Sequence, residues 1–349
     1  MTHDTFERLI TSKEYDFIRK NSHLGKNIMF ITLGGSYAYG TNTEGSDIDV
    51  RGVTLNSKSD MLGFGNFEQI VDKNTDTTIY GFNKFVHLIC ACNPNTIELL
   101  GNKPEHYLFV SDSGKKLLDN KTMFLSKRVL YSFGGYAQAQ LRRLQVSIAR
   151  NRVTPEQKGE FILTTCNTAM RTLEDNHNIP HGLFKLVLSD NLDNNGEPII
   201  VALPDVGYDD FKNAQVPIGD LRAYLGELSG IVKSYGSLGK RNQHAINKSD
   251  KKLNKHAMHL VRLYLMAFDI LENGEINTFR ESDHDFLMSI RNGEYMNEDG
   301  TYQQRFFDMV SKYDERLQKD FLDTKLPDHP DMNSVEKFVI EVNQKALEV

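Results

Sequence analysis

Two short runs near the N-terminus constrain the fold most. KNIMFITL (Lys26 to Leu33) is rich in Ile and Phe and predicts a strand running into Gly34 and Gly35. DIDVRGVT (Asp47 to Thr54) predicts a second strand, with Asp47, Asp49 and Arg51 on one face and Ile48 and Val50 on the other, because successive strand side chains alternate. That alternation sets two carboxylates side by side. The link between the runs, GGSYAYGTNTEGS, begins with a turn free of bulky side chains, where another group can approach the backbone. Farther on, DTTIY (Asp76 to Tyr80) predicts a third strand and GFNKFVHLICACN a helix, broken at Asn93, Pro94 and Asn95, which cap TIELLG before Gly101. Residues 4–20 predict one helix or two short ones.

Beyond about residue 112 the pattern turns helical, with runs around 126–150, 156–175 and 218–233, and a polar, turn-rich stretch (189–217) that predicts a β-hairpin around Asn195 and Gly196. The fold class read from this is α+β: a small mixed-sheet head over residues 1–115, followed by a largely helical domain over 116–349. With 39% hydrophobic and 25% charged residues in 349, the composition excludes a disordered or membrane class. The charged, amphipathic first twenty residues lack a signal-peptide core, so the expected location is cytoplasmic, without membrane contact. Cys90, Cys92 and Cys166 form no paired framework and read as free thiols. A net charge of -6 argues against an extended DNA-binding surface and leaves room for a local basic patch.

Carboxylates at i and i+2 of one strand converge on a divalent cation of the Mg²⁺ type, which takes hard oxygen ligands. Gly34 and Gly35 open the backbone to phosphate oxygens, and Ser36 adds a hydroxyl donor. A metal on one side and an amide cradle on the other suit a nucleoside triphosphate; the bland alternative is a surface turn beside an acidic strand edge. The pattern Leu33-Gly34-Gly35-Ser36, ten residues, then Asp47-Ile48-Asp49-Val50 resembles the signature of the polymerase β-like nucleotidyltransferase superfamily. More closely, GSYAYGTNTEGSDIDVRGV, DTTIYGFNKF, NPNTIELL, KLNKHAMHLVRLYLMAFDILENGEI and FLMSIRNGE are similar to predicted nucleotidyltransferases of bacteria and tailed phages.

The resemblance implies a nucleotidyltransferase head in which Asp47 and Asp49 hold two Mg²⁺ ions, with Mn²⁺ as a substitute. It also implies a third carboxylate from a later strand: Asp76, with Asp72 as runner-up. The reaction implied is in-line attack on the α-phosphorus of an NTP, ATP first among them, with pyrophosphate leaving. The acceptor is left open among an RNA end (a short RNA included), a small molecule and a protein hydroxyl. The alternatives are a catalytically inactive nucleotide-binding regulator and a phage interaction protein.

A second constellation lies in the predicted helix over residues 251–271. Lys252, Lys255, His256, His259 and Arg262 fall within an arc of about 120°, with Leu253, Ala257, Leu260, Val261 and Tyr264 opposite. No acid occurs between Lys251 and Phe268 to pair with them. The expectation is a cationic face turned to the active site, with all five residues nucleotide-binding and Lys255 and Arg262 the leading phosphate donors; the alternative is a structural stripe paired with acids of the head. His256 and His259 lack the third ligand of a transition-metal site. The upstream run with Lys240, Arg241 and His244 reads as a phosphate-contacting or plainly solvated loop. Arg51 pairs with the aspartates or holds a phosphate, Tyr37 and Tyr39 stack on a base or pack under the sheet, and Lys84 is a candidate to reach the site. Asn95 and Glu98 read as a helix cap and a first-turn acid, and Arg280 and Arg291 as salt-bridge partners.

Overall fold

The apolar run before the glycines forms β1 (Ile28–Gly34), all seven residues of which are buried. Such continuous burial belongs to a strand covered on both faces. In the computed structural model, which describes residues 11–347 apart from 153–157, 178, 193–197, 236–248 and 299, β1 pairs antiparallel with β2 (Asp49–Thr54). β2 pairs parallel with β4 (Thr77–Gly81), and β3 (Gln69–Asp72) closes an antiparallel hairpin onto β4. β5 (Tyr107–Val110) lies on the other side of β1, giving a mixed sheet of order β3-β4-β2-β1-β5. The register sets Gly34 opposite Asp49 and Val50 opposite Thr77, so the end of β1, the start of β2 and the start of β4 meet at one end of the sheet.

The second strand is shorter than the sequence suggests. It begins at Asp49, leaving Asp47 and Ile48 in the preceding loop, because β1 ends at Gly34 and the chain turns at Gly35 into the short helix α1 (Gly35–Tyr39). No residue of β1 remains to pair with Asp47. β3 and β5, which the sequence reading missed, are four-residue edge strands, and half-exposed edge strands carry little periodic signal. After β4, α2 (Phe82–Cys90) buries Phe82, Phe85, Val86 and Ile89, with Phe85 edge-to-face against Phe30 of β1.

The longer helices α3 (Val129–Arg152), α4 (Lys158–Asn176) and α5 (Ile218–Tyr235) fall where the periodicity places them. They are followed by α6 (Ser249–Phe268), α7 (His284–Arg291), α8 (Gln304–Asp323) and α9 (Met332–Leu347). The architecture is α+β: a mixed sheet with helices, then a mostly helical remainder.

Backbone proximity divides the chain differently from a break near residue 115. One compact unit joins residues 1–141 to 254–349, and the other is 142–253. Within the first, the returning chain is fastened to the head: the Thr278 N–H donates to the Gly101 carbonyl, the Arg280 N–H to the Tyr39 carbonyl, and Arg262 pairs with Glu98. In the second, β6 (Phe184–Leu192) and β7 (Pro198–Pro204) form an antiparallel pair. Its core gathers Cys166, Met170 and Leu173 of α4 with Tyr224, Leu228 and Ile231 of α5. The turn expected at Asn195 and Gly196 lies outside the described residues. All three cysteines are buried free thiols. Among the described residues no helix is long and apolar enough to cross a membrane.

Candidate active site

Two glycines at the end of β1 let β2 place its polar side chains over the backbone. A Cβ on Gly35 would fall 1.9 Å from Asp49 Oδ2, and one on Gly34 would fall 2.8 Å from Arg51 Cγ. Gly35 also has φ +55, in the left-handed region. The glycines therefore make room for Asp49 and Arg51, beside whatever access they give a phosphate. Gly35→Ala is expected to displace the Asp49 carboxylate and to destabilise the chain by about 1–3 kcal/mol, read by thermal melting. An unchanged midpoint would show that Asp49 does not depend on this contact.

Asp76 rather than Asp72 stands beside Asp49. Asp72 Oδ1 accepts from the N–H groups of Asn74 and Thr75 and from the Thr75 hydroxyl, which commits it to the turn ahead of β4 and holds its carboxyl below the usual range. Asp76 follows that turn with φ 44, a left-handed conformation that aspartate tolerates. Its carbonyl accepts from the Val50 N–H. Arg51 Nη2 bridges Asp49 Oδ1 at 2.8 Å and Asp76 Oδ1 at 3.3 Å. Burial above all, and then the neighbouring Asp76 carboxylate, push the Asp49 pKa up to about 6, against the pull of Arg51 and Lys255.

Asp49 and Asp76 thus offer hard oxygen atoms that share the Arg51 guanidinium, a donor type that suits a divalent cation such as Mg²⁺. Asp47 is exposed on the loop ahead of β2. Among the described residues no group of three or more His, Cys, Asp or Glu is arranged to hold a metal; of the three expected carboxylates, Asp49 and Asp76 share Arg51. Ser36 is buried in α1, and its carbonyl accepts from the Thr41 N–H at 2.9 Å.

The basic stripe divides along α6. Arg262 is only 5% exposed; it donates to Glu98 Oε2 at 3.1 Å and lies 3.5 Å from the centre of the Tyr39 ring. The Tyr39 hydroxyl completes the triad by donating to Glu98 Oε1 at 2.9 Å. Arg262 is therefore a buried structural cation rather than an exposed phosphate donor, and Glu98 is its counter-ion rather than a simple first-turn acid. Tyr39 packs inside and is not available to a base. His259 stands edge-on to Tyr39 at 5.9 Å. Burial, then the charges of Arg262, Lys255, His256 and Arg291, hold its pKa well below the usual value, so it is neutral at pH 7 and adds no cationic charge to the stripe.

His256 Nδ1 lies 3.1 Å from Gln140 Oε1. Lys252 and Lys255 are exposed, and Lys255 is the stripe residue whose charge reaches Asp49. Lys84 pairs with Glu68 at 3.4 Å, and Tyr37 packs against the sheet core. Arg280 pairs with Asp269 and Asp283, as a salt-bridge partner should. Arg291 instead donates to the Thr41 carbonyl and to Thr43 Oγ1. The segment with Lys240, Arg241 and His244 lies outside the described residues.

The RNA repair pathway DNA polymerase beta family matches residues 4–180. An uncharacterized 38.9 kDa protein in the nrdC-mobD intergenic region of Enterobacteria phage T4 is 27% identical over 130 residues, covering 33% of this chain and 38% of the phage protein. The match therefore spans less than two thirds of that relative. No solved structure matches.

Proposed function

We propose that this chain, which belongs to the RNA repair pathway DNA polymerase beta family, is a nucleotidyltransferase that moves a nucleoside monophosphate from an NTP, ATP foremost, to an acceptor. The observation that carries the reading is the Asp49–Asp76 carboxylate pair, sharing one guanidinium above a glycine floor at the end of the central strands. Asp49 and Asp76 would hold Mg²⁺, or Mn²⁺ in its place, with Asp47 of the adjoining loop as the third candidate ligand. The metal would supply charge neutralisation at the phosphates. Arg51, released from one carboxylate, is placed to pair with a phosphate oxygen, and Lys255 adds positive charge on the same side. Attack in line on the α-phosphorus then needs only an acceptor oxygen held opposite pyrophosphate. The family description favours an RNA end as acceptor over a small molecule or a protein hydroxyl.

The test is incubation with each α-labelled NTP, Mg²⁺ and RNAs bearing defined ends, small polyols or protein. Label transferred to one acceptor class by the wild type, and lost in Asp76→Asn by about a hundredfold or more, is the expected result. Calorimetric binding of a non-hydrolysable NTP without transfer to any acceptor would favour a regulator that binds nucleotide, and neither binding nor transfer would favour an interaction protein.

A further inference from the structure

Arg291, which ends α7, has no carboxylate partner among the described residues. It is half-buried, yet among the described residues no acid lies within ion-pair distance of it. Its protein partners are neutral oxygens of one loop: the Thr41 carbonyl and Thr43 Oγ1, the latter at 3.2 Å. A guanidinium has five N–H donors, and these contacts engage two of its nitrogens, leaving further donors of the fork for another group. Removing a charge from water without an opposite charge is costly, and burial already disfavours the charged form of Arg291.

The loop it holds is part of the site. The Thr41 N–H donates to the Ser36 carbonyl at 2.9 Å, the Thr43 N–H to Ser46 Oγ at 2.8 Å, and Asp47 follows directly. The charges of Arg291 and Lys255 both bear on His259, and Lys255 bears on Asp49. Lys255 likewise has no ion-pair partner among the described residues, whereas Arg262 and Arg280, which look equivalent in sequence, are neutralised by Glu98 and by Asp269 with Asp283. Among the described residues, Arg291 and Lys255 are therefore two cations without an ion-pair partner whose charges bear on the same histidine, and that of Lys255 bears on Asp49 as well.

We propose that Arg291 is a binding residue for a phosphate group of the substrate, reached across the Thr41–Ser46 loop, with Lys255 as its companion. This rests on the nucleotidyltransferase reading for the identity of the substrate. The phosphate belongs either to the NTP or to a phosphorylated acceptor end, and guanidinium chemistry is the same for both.

The test measures, in Mg²⁺, the affinity of the full chain for inorganic tripolyphosphate and for a 5′-phosphorylated oligoribonucleotide beside its unphosphorylated counterpart. Arg291→Gln, which keeps an N–H donor and loses the charge, is expected to bind one of these phosphate probes at least tenfold more weakly. Arg291→Lys should recover part of the loss, and both variants should melt cooperatively. Weakening confined to tripolyphosphate assigns the NTP, and weakening confined to the phosphorylated RNA assigns the acceptor. The proposal is overturned if both variants bind both probes as the wild type does, or if the wild type binds neither. Labelled transfer measured in parallel separates the two ideas: turnover with unchanged Arg291 variants sinks this inference alone, whereas Arg291-dependent phosphate binding without turnover sinks the transferase reading alone.

Discussion

Asp49→Asn is expected to lower nucleotidyl transfer by about a thousandfold or more while making the ligand-free protein more stable at neutral pH. The two effects have one cause. Burial and the Asp76 carboxylate raise the Asp49 pKa from the ordinary 3.8 to about 6, so the native state prefers this side chain neutral. A raised carboxyl pKa means that the folded chain binds the proton more tightly than the unfolded chain. Stability therefore falls as pH rises from about 4 to about 6, and the full penalty remains above that. Asparagine removes the charge and keeps the shape, which relieves about 1–2 kcal/mol above pH 6, Arg51 and solvent at the rim offsetting part of the gain. It also removes the anionic oxygen that a divalent cation needs. Protons and the divalent cation should accordingly compete for Asp49, so lowering the pH should raise the Mg²⁺ concentration that transfer by the wild type needs. Urea unfolding at pH 4.5 and 7.5, beside transfer assays, checks both halves. A variant that is active, or no more stable than the wild type at pH 7.5, removes Asp49 from the role assigned to it.

The same carboxylate shows how far the sequence could be read. Alternation in DIDVRGVT correctly set Asp49 and Arg51 on one face of β2, because a two-residue period is a local property of the chain. It overreached at Asp47, since where a strand begins depends on whether its neighbour still has residues to pair, and β1 stops at Gly34. Gly34 and Gly35 were recognisable as a place of close approach, but what approaches them is the side chains of β2, which only the register reveals. Asp76, preferred to Asp72 because it opens a candidate strand, is the one beside Asp49, and the turn that consumes Asp72 gives the physical reason. The helix of residues 251–271 was right in its apolar face and in the lack of acids, yet charge pattern on one helix cannot show a counter-ion 164 positions away in sequence. Arg262 and Arg291 both depart from the expected partners for that reason: among the described residues, one pairs with Glu98 and the other with neutral oxygens of the Thr41–Thr43 loop.

Glu98→Ala is expected to be the most destabilising single substitution near the site, costing about 3–5 kcal/mol, because it strands the Arg262 guanidinium in a buried position. Against a typical total of about 5–15 kcal/mol for a folded domain, that is a large fraction. The Tyr39 hydroxyl loses its acceptor in the same step. Tyr39 ends α1, which starts at Gly35 under the Asp49 carboxylate, so the damage should spread to the catalytic end of the sheet and depress transfer beyond what reduced folding explains. Apolar replacement of both partners, as in Glu98→Leu with Arg262→Met, should restore much of the stability, since the cost lies in an unpaired buried charge rather than in the loss of the pair. Denaturant midpoints of the single and double variants decide the matter. If Glu98→Ala unfolds within 1 kcal/mol of the wild type, Arg262 has found water or another anion, and its exclusion from substrate binding fails with it.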